Sequence, residues 1–195
     1  LAAHANVLPN GFAWDDEVIV VQNPDTADLS RLGHVILSPD MTRPYYRPLT
    51  RASYLLEHQL FGLDARGFHA VSLLVHLASV LALYALARRL LDRTAPALLA
   101  ALLLAVHPVH VGAVAFVSAR NNLLALLFSL VAARLLLDAA ELRRPAAAWL
   151  SALAFFLGLA SKETGAMVLP VLAIWLLVAP REGLRWRGLH LLVPH

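Results

Sequence analysis

The sequence predicts an all-α membrane helix bundle, and three observations lead to that fold class. First, 59% of the 195 residues are hydrophobic and only 15% are charged, whereas a soluble globular domain carries about 25% charged residues. Second, the mean hydropathy is +0.67, and long apolar runs dominate the chain after residue 67. Third, arginines recur at every second junction between those runs, which is typical of polytopic membrane proteins.

The composition also excludes several classes of function. Cysteine is absent, so neither a disulfide framework nor a thiolate metal site is predicted. The formal net charge is only +3 and the basic residues are spread along the chain, so no nucleic-acid partner is predicted. The sequence contains no Walker motif, dinucleotide fingerprint or HExxH motif. A group to be transferred must therefore arrive on something other than a nucleotide held in a glycine-rich loop.

Residues 1–66 are predicted to form a large polar loop that contains short helices, because Pro, Asp and Arg are frequent there. Within it, "PLTRASYLLEHQLFGL" has an irregular amphipathic pattern. Its apolar members are Leu49, Tyr54, Leu55, Leu60 and Phe61. This pattern fits a short helix lying in the membrane interface. It fits equally well a short soluble helix packed on its own loop.

Residues 67–195 are predicted to form the membrane bundle, with about five spans. The spans are expected at 68–91, 95–109, 123–137, 146–160 and 165–179, the third extended backwards over 111–119. A span needs about 20 apolar residues, and several of these runs are near or below that length. We therefore expect some spans to be shielded by neighbours or to lie obliquely. A sixth span is expected to begin at "LHLLVPH".

The arginines predict the orientation of the bundle. Basic residues cluster after the first, third and fifth spans, and these are Arg88, Arg89, Arg93, Arg134, Arg143, Arg144, Arg181, Arg185 and Arg187. The positive-inside rule places these ends in the cytoplasm. By parity, the loop of residues 1–66, the "HPVH" segment and the "SKE" segment all lie on the extracytoplasmic face.

Three consecutive acids, Asp15, Asp16 and Glu17, lie in the first loop just before an apolar run. A carboxylate near a low-dielectric surface has its charged form disfavoured, which suits a general base. Adjacent side chains point in different directions, so only one of the two aspartates is expected to be the base. The alternative is a solvated loop or a helix N-cap, since Asp is a common capping residue.

Three cations on the same face are candidate ligands of a phosphate. Lys162 precedes Glu163 at the junction of two apolar runs; it either provides a point charge for a phosphate or extends to the interface. Arg120, at a predicted helix start, either binds an anion or pairs with an acid. Arg47, between aromatic residues and a proline, is either solvated or a second phosphate ligand.

His107 and His110 in "HPVH" are three residues apart and could begin a metal site. A zinc site needs at least three protein ligands, and the third could come only from an acid of the first loop. The favoured alternative is a helix end terminated by proline and capped by polar side chains. No metal ion or cofactor is predicted.

Four segments together resemble a known family. They are "WDDEVIVVQNP", "YYRPLTRASYLLEHQLFGLDARGFHAVSLLVHL", "AVHPVHVGAVAFVSARNNLLA" and "LASKETGAMVLP", in this order and at this spacing. They resemble the membrane domain of the transmembrane-and-tetratricopeptide-repeat O-mannosyltransferases and their bacterial relatives. These enzymes belong to the GT-C superfamily of integral-membrane glycosyltransferases, so the resemblance implies a GT-C type of bundle.

The resemblance implies a donor, an acceptor and a set of site residues. The donor is a polyprenyl-phosphate sugar such as dolichyl-phosphate mannose, and the acceptor is a Ser or Thr hydroxyl of a protein. An aspartate, Asp15 or Asp16, deprotonates the hydroxyl, and the anomeric configuration inverts. The family's acidic pair corresponds either to Asp15–Asp16 or to Asp16–Glu17. Charge on the departing phosphate is neutralised by basic residues, and further polar groups support the site. These are Lys162, Arg47 and Arg120 for the phosphate, and Glu17, Glu163, His107 and His110 as supporting groups.

The chain departs from the family in two respects. Asn122 stands where relatives commonly carry an acid, and neither the tetratricopeptide repeats nor an initial transmembrane helix is found. Because the sequence opens at Leu1, we expect it to be a piece of a longer protein. Its expected location is a bacterial inner membrane, with the site on the periplasmic face. The alternatives are transfer to a lipid or glycan acceptor, and a non-enzymatic transporter or scaffold.

Overall fold

The computed structural model describes residues 2–39, 45–142 and 144–178, and the described residues form helices and turns without a strand. This confirms the predicted all-α class. In chain order the α-helices are α1 (Pro24–Ala27), α2 (Leu32–Leu37), α3 (Pro48–Phe61), α4 (Ala65–Leu91), α5 (Thr94–Val106), α6 (Val111–Ala115), α7 (Arg120–Leu142), α8 (Pro145–Ser161) and α9 (Val168–Val178). Short turns of 3₁₀ type occur at Ala2–Val7, Leu29–Arg31, Pro108–His110, Val117–Ala119 and Glu163–Met167, and a π-type turn occurs at Glu17–Val21.

Two helices of the described chain are long and apolar enough to cross a membrane: α4, with 27 residues, and Val117–Ala140, with 24. A third candidate is α5 together with Pro108–Ala115, which are bent by 46° where Pro108 interrupts the helix. Since α8 and the apolar stretch Glu163–Ile174 are shorter, the five-span count remains a prediction. The expected sixth segment lies outside the described residues.

Local signals explain where α4 begins and ends. The side chain of Asp64 accepts a hydrogen bond from the backbone N–H of Arg66 at 3.0 Å, which caps the first turn. The apolar run then continues for 27 residues. Asp92, in the left-handed region with φ of 50°, ends the helix, and its N–H donates to the carbonyl of Arg88.

Helices α7 and α8 pack closely because small residues line their contact. Along α8 a stripe of small residues faces inward, and it comprises Ala147, Ser151, Ala154, Gly158 and Ser161. The Ser151 hydroxyl donates to the carbonyl of Ala132 on α7 at 2.8 Å. Small side chains and interhelical hydrogen bonds of this kind bring membrane helices together, so α4, α7 and α8 form the centre of the bundle.

The first loop folds onto the bundle and shares its core. Val20 is fully buried against Tyr54 of α3, Phe68 of α4 and Val117. Val7 lies in a second cluster with α4, α6 and α7. Burying such side chains contributes about 1.5–3 kcal/mol each, so the first loop is held against the end of the bundle.

Helix α3 buries one side and exposes another. Tyr54 and Leu55 are buried, whereas Leu56, Leu60 and Leu63 are at least half exposed. Leu56 and Leu60 are four residues apart and so lie on one face of α3, and Leu63 follows just after the helix ends. The structure therefore combines features of both sequence interpretations: the helix packs on its own loop and also presents an apolar stripe to the outside.

Candidate active site

Asp16 joins the first loop to the start of α7. Its carboxylate is fully buried. Oδ1 accepts the N–H of Ser118 at 2.7 Å, and Oδ2 accepts the N–H groups of Val117 at 3.2 Å and Ala13 at 3.3 Å. The residue before the turn Val117–Ala119 provides no side-chain cap. Asp16 therefore satisfies the N–H groups of Val117 and Ser118, although it lies about 100 residues away in sequence. Asp16 is thus enclosed by backbone amides.

Asp15 has the opposite environment. Its side chain is exposed and lines a cavity of about 290 Å³. Trp14, directly before it, has a φ of 56°, a left-handed backbone conformation that residues other than glycine rarely adopt. Asp15 and Asp16 follow as successive residues of a helical turn, so their side chains point in different directions: Asp16 is buried and Asp15 lies at the cavity. The Trp14 ring is 85% exposed and its centroid is 6.3 Å from that of Phe116.

The cavity is assembled from segments that are distant in sequence. Its polar and aromatic lining comes from the first loop, the segment before α3, the start of α7 and the end of α8, and includes Trp14, Asp15, Tyr45, Arg47, Asn122 and Lys162. The structure therefore brings together three residues predicted for the site: Asp15, Arg47 and Lys162. Glu17 is exposed and is not among the residues that line this cavity.

Arg47 forms a two-point ion pair with Glu163. Its Nε donates to Oε2 at 3.1 Å and its Nη2 donates to Oε1 at 2.7 Å. The guanidinium also lies over the ring of Tyr45, 4.4 Å from the centroid. The hydrogen bonds from Arg47 lower the pKa of Glu163 below its usual range. Glu163 therefore holds Arg47 at the rim of the cavity.

Lys162 has a neutral partner. Its Nζ donates to Oδ1 of Asn122 at 2.6 Å, so this contact does not neutralise the ammonium charge. The turn that follows is tight, because a Cβ added to Gly165 would lie 2.7 Å from the backbone carbon of Gly158. The absence of a side chain at residue 165 thus lets the Glu163–Met167 turn fold back on α8, and it places Lys162 at the cavity.

Arg120 lies elsewhere, since it is fully buried. It forms a short ion pair with Glu57 of α3, donates to the carbonyl of Phe68 at 2.7 Å and contacts the hydroxyl of Ser72 of α4 at 3.2 Å. Its guanidinium also lies 5.1 Å from the ring centroid of Tyr54. Burial raises the pKa of Glu57, an effect that Arg120 opposes. In the structure Arg120 has the second of its two predicted roles, pairing with an acid, and it connects α3, α4 and α7.

His107 and His110 belong to a separate group of imidazoles. His110 lies 6.2 Å from His107 and 5.8 Å from His76, and His76 lies 5.2 Å from His4, between ring centroids. Neither His107 nor His110 lines the cavity of Asp15. Within the described part of the chain, no group of three or more His, Asp or Glu side chains is arranged to hold a metal ion.

An apolar groove of about 450 Å³ adjoins the polar cavity. It is lined almost entirely by apolar side chains of α4, α7 and α9, such as Leu86, Leu137 and Leu172. Asn122 lines both the polar cavity and the groove. A ligand with a charged head and a long hydrocarbon tail can therefore place its head near Lys162 and its tail among the helices.

Of the residues that line the cavity, only Asp15, Arg47 and Lys162 were predicted for the site. Trp14 and Tyr45 are aromatic neighbours of predicted residues, and Asn122 stood out only as a departure from the resembling family. Their proximity to Asp15 and Arg47 in sequence was the available signal for the two aromatic residues. For Asn122 the signal was the acid that the resemblance implies at this position, since a polar residue there contacts Lys162.

The fold and the site define the class of the protein: an integral membrane helix bundle with a polar cavity at one end that continues into an apolar groove. The sequence model of the dolichyl-phosphate-mannose-protein mannosyltransferases matches residues 48–193. The chain therefore belongs to that family. The matched region begins after the acids of the first loop.

Several relatives are similar to this chain. The protein O-mannosyl-transferase F38B6.6 of Caenorhabditis elegans is 30% identical over 179 residues, which are 86% of this chain and 25% of the relative. The protein O-mannosyl-transferase TMTC1 of Mus musculus is 33% identical over 64% of this chain and 14% of the relative. TMTC4 of Homo sapiens, with the same description, is 33% identical over 67% of this chain and 21% of the relative.

These relatives confirm the resemblance to transmembrane O-mannosyltransferases. The chain spans about a quarter or less of the length of each of these three relatives. No solved structure matches it.

Proposed function

We propose that this chain is the membrane portion of an enzyme that transfers mannose from a polyprenyl-phosphate donor to a Ser or Thr hydroxyl of a protein. The observation that carries the proposal is the junction at Asn122, where a polar cavity holding Asp15 and Lys162 meets an apolar groove. The three relatives are described as protein O-mannosyl-transferases. These descriptions support mannose and a protein acceptor over other sugars and acceptors.

Asp15 is the general base in this proposal. It takes the proton of the acceptor hydroxyl while the hydroxyl oxygen attacks the anomeric carbon of the sugar. The bond between that carbon and the phosphate oxygen breaks, and polyprenyl phosphate leaves with the electron pair. Attack opposite to the leaving group inverts the anomeric configuration. A positioned base typically contributes about 10²–10⁴-fold to the rate.

Lys162 stabilises the departing phosphate. Its ammonium donates to a neutral amide oxygen, so it can exchange that partner for a phosphate oxygen without breaking an ion pair. Fixed charges aimed at developing negative charge often contribute more to catalysis than any other single effect. Arg47 is a second phosphate ligand that Glu163 holds at the rim. Asp16 acts by positioning: it fixes the backbone from which Asp15 projects.

The proposed location follows from the charges at the two ends of the bundle. The arginine-rich ends face the cytoplasm under the positive-inside rule, so the Asp15 cavity opens on the extracytoplasmic side, in a bacterium the periplasmic side of the inner membrane. Polyprenyl-phosphate sugars with their head groups at this surface would reach Lys162 from the bilayer. Protein acceptors would reach Asp15 from water.

The test uses the full-length protein in membranes, with polyprenyl-phosphate mannose labelled in the sugar and a protein extract as acceptor. We expect label on protein, released by alkaline elimination from Ser or Thr, with an anomeric configuration opposite to that of the donor. Lys162→Met should lower this transfer, and Glu17→Gln should leave it nearly unchanged because Glu17 does not line the cavity.

The alternatives give different results in the same experiment. Label that appears in a glycolipid or glycan, and not on protein, would assign the other acceptor class. If no polyprenyl-phosphate sugar gives transfer, the transferase proposal fails and the transporter or scaffold alternative takes its place. A Glu17→Gln variant as inactive as Asp15→Asn would favour the Asp16–Glu17 correspondence for the acidic pair.

A further inference from the structure

A second cavity, of about 520 Å³, lies at the other end of α4 and α7 from Asp15. It is lined by Arg88, Arg89, Asp92 and Arg134, with Ala85 and Leu90 completing the wall. Arg134 lies fourteen residues along α7 from Arg120, which is about 21 Å at the helical rise of about 1.5 Å per residue. The two cavities therefore lie toward opposite ends of α7, a separation comparable with the thickness of about 30 Å of a hydrocarbon core.

The charges of this arginine cavity are unbalanced. Three arginines and one aspartate line it. The nearby Asp138 uses the same oxygen, Oδ1, for Nε of Arg89 at 3.4 Å and for Nη1 of Arg134 at shorter range. One carboxylate oxygen thus serves two guanidinium groups. A concave site lined by an excess of one charge concentrates its field on ions of the opposite sign.

The arginine positions are held by regular structure. Arg88 and Arg89 occupy the last turn of α4, where the helix dipole favours cations. Arg134 is four residues before Asp138 on α7, a spacing that pairs side chains on one face of a helix. Because the guanidinium groups are positioned before any ligand arrives, an anion binding here needs little reorganisation of the protein.

The arginine cavity also has an apolar continuation. Leu90 lines both this cavity and the apolar groove, and Leu86, Ala133 and Leu137 line the groove close by in sequence. A free phosphate would match only the arginines. An amphiphile with an anionic head and hydrocarbon chains would match both surfaces.

We propose that the arginine cavity binds the phosphate of an anionic membrane phospholipid, with its acyl chains in the Leu86–Leu90 end of the groove. The lipid comes from the leaflet opposite to the one that the Asp15 cavity faces. The proposal depends on the bundle and its charges and is independent of any sugar transfer. Each arginine near an anionic membrane surface contributes about 1 kcal/mol to binding, which corresponds to about fivefold in affinity.

The test measures lipid binding to the purified full-length protein by native mass spectrometry, with phosphatidylglycerol and phosphatidylcholine as probes. The first variant is Arg88→Gln, because Arg88 takes part in none of the ion pairs found among the described residues. The matched control is Arg66→Gln, which makes the same charge change at an exposed position in the first turn of the same helix. Thermal unfolding of each variant verifies that it is folded.

We expect phosphatidylglycerol to bind more tightly than phosphatidylcholine. Arg88→Gln should lower the affinity for phosphatidylglycerol about fivefold, and Arg66→Gln should leave that affinity unchanged. Soluble glycerol phosphate at the same concentration should not displace the lipid. The proposed site would be wrong if folded Arg88→Gln protein kept its preference for phosphatidylglycerol, or if Arg66→Gln lost as much affinity as Arg88→Gln. Displacement by glycerol phosphate at equal concentration would overturn the lipid assignment in favour of a free phosphate.

Discussion

The two ends of the bundle carry their charged groups on different kinds of structure. At the arginine end, Arg89, Arg134 and Asp138 project from the regular helices α4 and α7. At the acidic end, the cavity is built from 3₁₀ and π turns and from Trp14 with its positive φ. Its contacts join residues about 100 positions apart, such as Asp16 with Ser118.

The comparison shows two ways of positioning charged side chains. Spacing along regular helices positions them at the arginine end, and tertiary contacts position them at the acidic end. The arginine end needs only two packed helices. The acidic end depends on two tertiary contacts. One is the buried ion pair of Arg120 with Glu57, and the other is the capping of the Val117–Ala119 turn by Asp16. We therefore expect substitutions of the buried charged groups at the acidic end to have large effects on stability, and substitutions of the more exposed charges at either end to have small ones.

The largest effect on stability is expected from removing Arg120. Arg120→Met leaves Glu57 buried without its cation, which typically costs about 3–5 kcal/mol. At the arginine end, Arg89 is 29% exposed, so Arg89→Met should cost less than about 1 kcal/mol. The measurement is thermal unfolding of the purified proteins in one detergent. Equal losses in both variants would remove the distinction between the two ends.

A smaller loss is expected from a methyl group at residue 165. Gly165→Ala places a Cβ 2.7–2.8 Å from backbone atoms of Gly158, and such overpacking costs about 1–3 kcal/mol. It should also displace Lys162 and reduce transfer. Gly158→Ala is the matched control, since its Cβ meets nothing closer than 3.5 Å. The two unfolding midpoints and transfer rates, measured together, verify the prediction; an equally mild result for both would contradict the tight turn.

Substitutions of Trp14 should reverse the usual order of stability, in which alanine is more stable than glycine. Because its φ is 56°, a Cβ is unfavourable there by about 1–2 kcal/mol, so Trp14→Gly should be more stable than Trp14→Ala by about 1 kcal/mol. At the exposed helical residue Leu37, glycine should instead be less stable than alanine, by up to about 1 kcal/mol. Chemical unfolding of the four variants measures both differences. The same order at both residues would show that Trp14 is not strained.

The smallest effect is expected from the exposed pair of Arg47 and Glu163. Arg47 lowers the folded-state pKa of Glu163 below its usual 4.5, so the pair's stabilisation is present above that pH and is lost as the pH falls through the lowered pKa. Glu163 is 62% exposed, so the contribution should stay below about 1 kcal/mol. Unfolding between about pH 6 and pH 3 should show a slightly shallower acid slope in Glu163→Gln. A steeper slope in the variant would contradict the sign.

The sequence predicted what depends on local pattern. The apolar run at 68–91 became α4, Ala65–Leu91, because continuous apolarity specifies a membrane helix. It also predicted that Asp15 and Lys162 lie on one face, and the structure places both at one cavity. It did not predict the burial of Arg120, because that position depends on Glu57, which is 63 residues away on another helix.

The separate positions of Asp15 and Asp16 also required the structure. Adjacent side chains must point in different directions, but the choice of Asp16 as the buried one depends on the amides of Val117 and Ser118. These amides lie about 100 residues away, so nothing near the acids in sequence indicates them. The count of spans depends in the same way on tertiary packing, since Pro108 allows either a bent span or two short helices.

The two neighbouring aspartates are proposed to have different roles: Asp15 is the general base, and Asp16 stabilises the fold around it. The most direct measurement compares Asp15→Asn and Asp16→Asn in the full-length protein, recording both mannose transfer from a polyprenyl-phosphate donor and the unfolding midpoint. We predict that Asp15→Asn keeps the midpoint and loses about 10²–10⁴-fold in transfer rate, whereas Asp16→Asn lowers the midpoint. An Asp15→Asn variant with full activity, or an Asp16→Asn variant that is inactive at unchanged stability, would contradict this division of tasks.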